Sequence, residues 1–69
     1  MKTIKLKDEF IRLGQAMKAA GLCDMGSDAK SVIQEGLVKV NGETELRRGR
    51  KLRDGDVITY QGETVRIEA

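Results

Sequence analysis

The spacing of apolar residues changes once along this chain, and the change falls at Gly36. Before it, apolar positions recur at helical period; after it, they alternate with polar ones. A chain of 69 residues with one such switch reads as a single α+β domain: a two-helix hairpin packed on a small antiparallel sheet. A domain of this size buries only about 60% of the surface its unfolded chain exposes. Its core is marginal, with little room for an enclosed cavity, so binding is expected on the outside and no small-molecule substrate is expected.

The helical part is read from its stripes and stops. "TIKL" at 3–6 alternates and gives a short strand. Phe10, Leu13, Met17 and Ala20 then share one helical stripe, with Asp8 and Glu9 where a first turn favours acids, and Gly21 ends it. This predicts a first helix over about 9–20, with Phe10 and Met17 in the core. "CDMGSDAKSVIQEG" predicts a second helix, capped by Asp24 or Ser27 and facing inward through Ala29, Val32 and Ile33.

Beyond Gly36, Asn41-Gly42 is a strong two-residue hairpin signal, because both turn positions need positive φ. Further turns are predicted at Asp54-Gly55 and Gln61-Gly62, around a strand at Val57–Tyr60. Val65 and Ile67 point inward. No proline, low-complexity tract or linker interrupts the order, so residues 1–69 read as one domain.

The net charge of +2 matters for where it lies. Up to residue 46, Lys and Arg balance Asp and Glu, and after residue 53 acids prevail. All the positive excess sits in "RRGRKLR", which holds Arg47, Arg48, Arg50, Lys51 and Arg53. A run of charge is often only solvated surface, but a field concentrated this way attracts a polyanion better than the same charge spread evenly. Arginine suits phosphate because its planar fork binds two oxygens at once.

The chain has no histidine and one cysteine, Cys23. Metal-ligand spacings, an internal disulfide and most acid–base or nucleophilic constellations are therefore unavailable, and no cofactor or metal is expected. Cys23 reads as a small buried hydrophobe. The N-terminus lacks the apolar stretch of a signal peptide and no segment reaches membrane-spanning length, so a cytoplasmic protein without membrane contact is expected.

The motifs "RLGQAMKAAGL", "AKSVIQEGLVKVNGE" and "LRDGDVI", in this order and spacing, carry a family resemblance over roughly residues 12 to 58. The chain resembles the RNA-binding domain named after ribosomal small-subunit protein four, the αL motif, and its short stand-alone bacterial members. Arg12-Leu13, Met17, Gly21, Ala29-Lys30, Val32-Ile33, Gly36, Val38, Val40-Asn41-Gly42 and Gly55-Asp56 match the family pattern. Gly14 stands where the family usually has Asp, Met25-Gly26 replace a Ser-Arg pair, and Leu37 replaces a His.

The chain is expected to be a monomer, and the resemblance implies a non-catalytic protein that offers a basic face to structured RNA, ribosomal or transfer RNA included. The residues assigned to that face are Arg12, Lys30, Lys39, Arg47, Arg48, Arg50, Lys51 and Arg53. With Phe10 and Tyr60 as the aromatics, a base-stacking platform is not expected, and phosphate, 2′-OH and shape contacts are.

Three other classes compete. An enzyme would need a catalytic unit beside this domain, for which the chain has no space. A β-grasp sulfur carrier shares "VKVNGE" and "GDVI" but ends in Gly-Gly, whereas this sequence ends "RIEA". An adaptor would set the basic loop against an acidic protein, and pull-down of RNA against protein separates that reading from the first.

Overall fold

The computed structural model describes residues 2–69. Strand β1 (Lys2–Lys5) and a two-residue strand β2 (Ile11–Arg12) precede helix α1 (Leu13–Ala19) and helix α2 (Gly26–Gln34). Then follow β3 (Val38–Val40), β4 (Glu43–Thr44), β5 (Lys51–Leu52), β6 (Val57–Tyr60) and β7 (Glu63–Glu68). The main sheet has the order β1-β7-β6-β3-β4, and β2 pairs with β5 in a separate ladder.

The period-two residues make one face of the main sheet apolar. Val38 and Val40 from β3, Ile58 and Tyr60 from β6, and Val65 and Ile67 from β7 are all buried. Leu13, Ala16 and Met17 of α1 and Ala29 and Ile33 of α2 complete the same cluster, with Leu52 and Cys23. Each fully buried aliphatic side chain here contributes roughly 1.5–3 kcal/mol through removal from water, and this cluster is what a chain so short has to hold it together.

Both helices stop in the same way. The N–H groups of Gly21 and Leu22 reach back to the carbonyls of Lys18 and Met17, and those of Gly36 and Leu37 to Ile33 and Val32. These are Schellman closures, which place the C′ residue in the left-handed region; Gly21 and Gly36 sit there at φ 76° and 78°. Asn41-Gly42 and Gln61-Gly62 join their strands in two-residue turns with positive φ throughout, as the sequence predicts.

The α+β class and the helix hairpin are as expected, with one addition to the sheet. β3, β4, β6 and β7 pair antiparallel, but β1 lies parallel to β7, Ile4 opposite Ile67, as an edge strand brought in from the N-terminus. Parallel pairing is a long-range choice, invisible in the alternation of "TIKL" itself.

The start of the first helix differs from the prediction of residue 9. Ile11 and Arg12 are extended and pair with Leu52 and Lys51, so the helix begins at Leu13. Asp8 and Glu9 are exposed and precede the helix, and Phe10 is only half-buried and outside the core cluster. Local periodicity cannot register a partner strand forty residues away, and here that partner wins. Likewise α2 begins after Met25, and neither Asp24 nor Ser27 is its N-cap; Asp28 lies in its first turn, where the helix dipole favours an acid.

Candidate nucleic-acid interface

The basic run is fastened to the N-terminus of α1 by its own backbone. The first N–H groups of a helix lack intrahelical partners. Here the N–H of Leu13 donates to the carbonyl of Arg50 at 2.9 Å, and that of Gly14 to the carbonyl of Arg48 at 3.0 Å. The Arg12 N–H donates to Gln15 Oε1 at 3.4 Å, and its guanidinium Nη1 to the Gly49 carbonyl at 3.1 Å. The loop therefore caps the helix, and in doing so it is held with Arg48, Lys51 and Arg53 exposed beside Arg12.

Gly14 makes this approach possible. A Cβ at that position would lie 2.7 Å from Cγ of Arg48, closer than side chains tolerate, so Arg48 crosses the helix where another residue's side chain would stand. The result is a shallow groove lined by Arg12, Gly14, Gln15, Lys18, Arg48 and Gly49. A second groove, which shares Gly49 with the first, is lined by Arg47, Gly49, Arg50 and Lys51.

The run is not simply a set of free cations. Glu45, two residues upstream, is 6% exposed and has its carboxylate clamped by two of the arginines. Its Oε2 accepts from Nε of Arg47 at 3.1 Å and from the Arg47 N–H at 3.1 Å. Its Oε1 accepts from Nη2 of Arg47 at 3.2 Å and from Nη1 of Arg50 at 2.8 Å. The hydrogen bonds from Arg47, helped by that from Arg50, outweigh burial and hold the Glu45 carboxyl at about 2, below its usual 4.5. The same pairing raises the Arg47 guanidinium further above its ordinary range.

Arg47 and Arg50 thus serve two purposes: they neutralise Glu45 and shape the loop, with hydrogen-bonding capacity left over on side chains that are 74% and 31% exposed. Among the described residues, Arg12, Lys18, Arg48, Lys51 and Arg53 form no ion pair. A phosphate would meet these as uncompensated charges.

A second set of bonds fixes the other end of the run. Asn41 Nδ2 donates to Asp56 Oδ1 at 2.9 Å, while Asn41 Oδ1 accepts from the Val57 N–H at 3.0 Å. Asp56 Oδ2 accepts from the Arg53 N–H at 2.7 Å. Burial opposes ionisation of Asp56, but these bonds together with the Arg50 and Arg53 charges leave its carboxyl below the ordinary range. The "VNG" and "GD" pieces of the sequence motif are therefore one structural joint, which sets where Arg53 emerges.

Of the residues the sequence assigns to a basic face, the structure gathers Arg12, Arg47, Arg48, Arg50, Lys51 and Arg53 at this junction. Lys30 is exposed on α2, and Lys39 is exposed in β3 between the inward-facing Val38 and Val40. Neither hydrogen-bonds or ion-pairs with the junction. Gln15 and Lys18 join the face without having been singled out; their spacing of three and six from Arg12 places them on one side of the helix and was the available signal. Glu45 was also missed, since an acid two residues before a basic run carries no mark of burial. Cys23 is buried, and burial, with Asp28 and Asp24 nearby, pushes its thiol up, as suits a protonated core side chain.

Comparison with known proteins places this arrangement. The family described as the S4 domain matches residues 4–68. The chain belongs to the S4 domain family. The protein named "Probable ribosome maturation protein RlbA" of Bacillus subtilis (strain 168) is 44% identical over 59 residues, spanning 86% of this chain and 83% of that one. YbcJ of Escherichia coli (strain K12) is 34% identical over the whole of both chains. The solution structure of YbcJ, described as revealing an αL motif involved in RNA binding, superposes with a TM-score of 0.77 over all of this chain and 89% of that one. The 30S ribosomal protein S4e of Thermoplasma acidophilum has a TM-score of 0.71 at 31% identity, over 87% of this chain but 32% of that one. The family match is thus nearly the whole of this chain, whose fold corresponds to about a third of S4e.

Proposed function

We propose that this S4-domain protein binds structured RNA, without catalysing a reaction, through the face built where the 47–53 loop caps α1. The observation that carries the reading is the loop's geometry: the carbonyls of Arg48, Gly49 and Arg50 are spent on Gly14, Arg12 and Leu13, and Arg12, Lys18, Arg48, Lys51 and Arg53 are exposed together without ion pairs among the described residues. Converging guanidinium and ammonium groups on a rigid support match the closely spaced phosphates of a folded RNA. Groove walls that are shallow and open favour backbone and shape contacts over the edge-by-edge reading of a sequence.

The relatives supply the biological setting. One is named for ribosome maturation and another is described by a motif involved in RNA binding, which supports ribosomal RNA or a ribosome precursor as the target and the cytoplasm as the place of action. No helix among the described residues is long and apolar enough to cross a membrane. The protein acts as a monomer in this reading, its core closed within one chain.

Crosslinking the protein to RNA in cells and sequencing the attached fragments tests the proposal. Enrichment of folded segments of ribosomal RNA is expected. Recovery of no RNA above a control carrying Gln at Lys18, Arg48, Lys51 and Arg53, together with capture of an acidic protein through the same residues, would favour the adaptor reading instead.

A further inference from the structure

Phe10, the only phenylalanine of the chain, is half-buried and does not belong to the hydrophobic cluster, although its neighbour Ile11 packs against that cluster. Three cations surround its ring. The Lys51 ammonium lies 4.8 Å from the ring centroid, and the guanidinium carbons of Arg12 and Arg53 lie at 5.7 and 5.8 Å. Each contact is favourable by itself, because the ring face is electronegative. Three like charges around one ring nevertheless repel one another, and among the described residues none of the three is ion-paired.

An arrangement of this kind is completed by something that is both flat and anionic. We infer that Phe10, with Arg12, Lys51 and Arg53, forms a subsite for one unpaired nucleotide of the bound RNA. The base stacks on the Phe10 ring and its flanking phosphates neutralise the three cations. This rests on the RNA-binding reading above and adds to it a contact that duplex RNA cannot make.

The chemistry fits at each point. Every nucleobase has a π face, so stacking on a lone aromatic ring selects for an unpaired base rather than for its identity. Arg53 is exposed, so its guanidinium plane can swing from the ring to cover the outer side of an inserted base, while Arg12 stays beside the ring, held by its hydrogen bond to the Gly49 carbonyl. Beside the ring runs a groove whose lining includes Ile4, Leu6 and Ile11, rimmed by Lys5 and Lys7 and by the acid Asp8. It gives the edge of a base an apolar wall, with further positive charge on the approach. One ring does not make a platform for a single strand, which is why the subsite takes one nucleotide of a structured RNA.

The test compares two RNA hairpins that differ by a single unpaired nucleotide in the stem, bound by the parent protein, Phe10→Leu and Phe10→Trp. The parent is expected to favour the bulged hairpin. Phe10→Leu keeps the apolar bulk and loses the π face, and should lose that preference, with bulged-RNA affinity falling about 5- to 150-fold, the range for one stacked base. Phe10→Trp should retain it. Equal binding of both hairpins by the parent, or an unchanged preference in Phe10→Leu, overturns the subsite and leaves RNA binding intact. Binding of neither hairpin by the parent overturns both. A 4-thiouridine at the unpaired position of the bulged hairpin, photocrosslinked to the parent protein, gives a readout independent of any variant's folding. Attachment at Phe10 or its immediate neighbours is expected, and attachment confined to another element contradicts the subsite.

Discussion

The N–H of Gly14 donates to the carbonyl of Arg48 at 3.0 Å, and the Gly14 Cα lies directly beneath the Arg48 side chain. One contact thus joins the first helix to the basic loop that interrupts the sheet. It also accounts for the departure from the family pattern at this position, since an Asp side chain would occupy the space Arg48 uses.

Gly14→Ala therefore separates stability from binding. A methyl group at Gly14 must push Arg48 aside, but Arg48 is exposed and can rotate away, while alanine gains up to about 1 kcal/mol in helix propensity. The expected result is a melting temperature close to the parent's, with RNA affinity reduced several-fold through displacement of Arg48. Denaturation and RNA titration on the same preparation check both halves.

Glu45 makes the acid response predictable. Its carboxyl is depressed from 4.5 to about 2 in the folded state, so the unfolded chain takes up its proton first as pH falls. The stability it contributes is complete above about pH 4.5 and is lost as pH drops towards 2. Glu45→Gln should remove this part of the pH dependence, leaving the smaller contribution of the same sign from Asp56. At pH 7 the substitution should lower stability by about 1.5–3 kcal/mol, the range for hydrogen bonds to charged partners. Urea denaturation of parent and variant between pH 7 and pH 3 measures both effects; parallel pH profiles would show that the clamp is not formed.

The same substitution frees Arg47 and Arg50 from their acid. In the folded variant the salt dependence of RNA binding should steepen, by up to about 0.7–0.9 in the slope of log K against log[salt] for each arginine that turns to a phosphate. A shallower slope would mean that Glu45 is needed to present these arginines rather than restraining them.

Gly42→Val addresses the joint at the other end of the run. At φ 83° a β-branched residue is strained, and nothing lies within 4 Å of its Cβ, so the cost is one of backbone conformation alone. A loss of about 1–3 kcal/mol is expected, with RNA affinity of the folded fraction unchanged. A denaturation midpoint equal to the parent's would exclude the turn.

What was legible in the sequence was local. Gly21 and Gly36 mark the helix ends and Asn41-Gly42 a hairpin because each answers to its immediate neighbours. Val65 and Ile67 point inward because a strand alternates. What was hidden depends on partners far along the chain. Phe10 sits on a helical stripe but is drawn out of the helix when Ile11 pairs with Leu52, and so becomes a surface ring instead of a core residue. Glu45 looks like hairpin surface until two arginines close over it. The basic run was visible as charge, but that it caps α1 with its carbonyls, and so which of its side chains stay free, depends on a contact between residues 14 and 48.

The central claim is that the loop-and-helix junction carries the affinity for RNA. It is tested most directly by replacing Lys18, Arg48, Lys51 and Arg53 together with Gln, a choice that leaves the Glu45 clamp in place so that no buried carboxylate is stranded. Exposed cations add little to stability, so circular dichroism should report the parent's fold. Binding of a structured RNA, titrated at several salt concentrations, should weaken strongly, with the slope of log K against log[salt] flattened by about 0.7–0.9 for each phosphate contact removed. A folded variant whose affinity and slope equal the parent's would contradict the account.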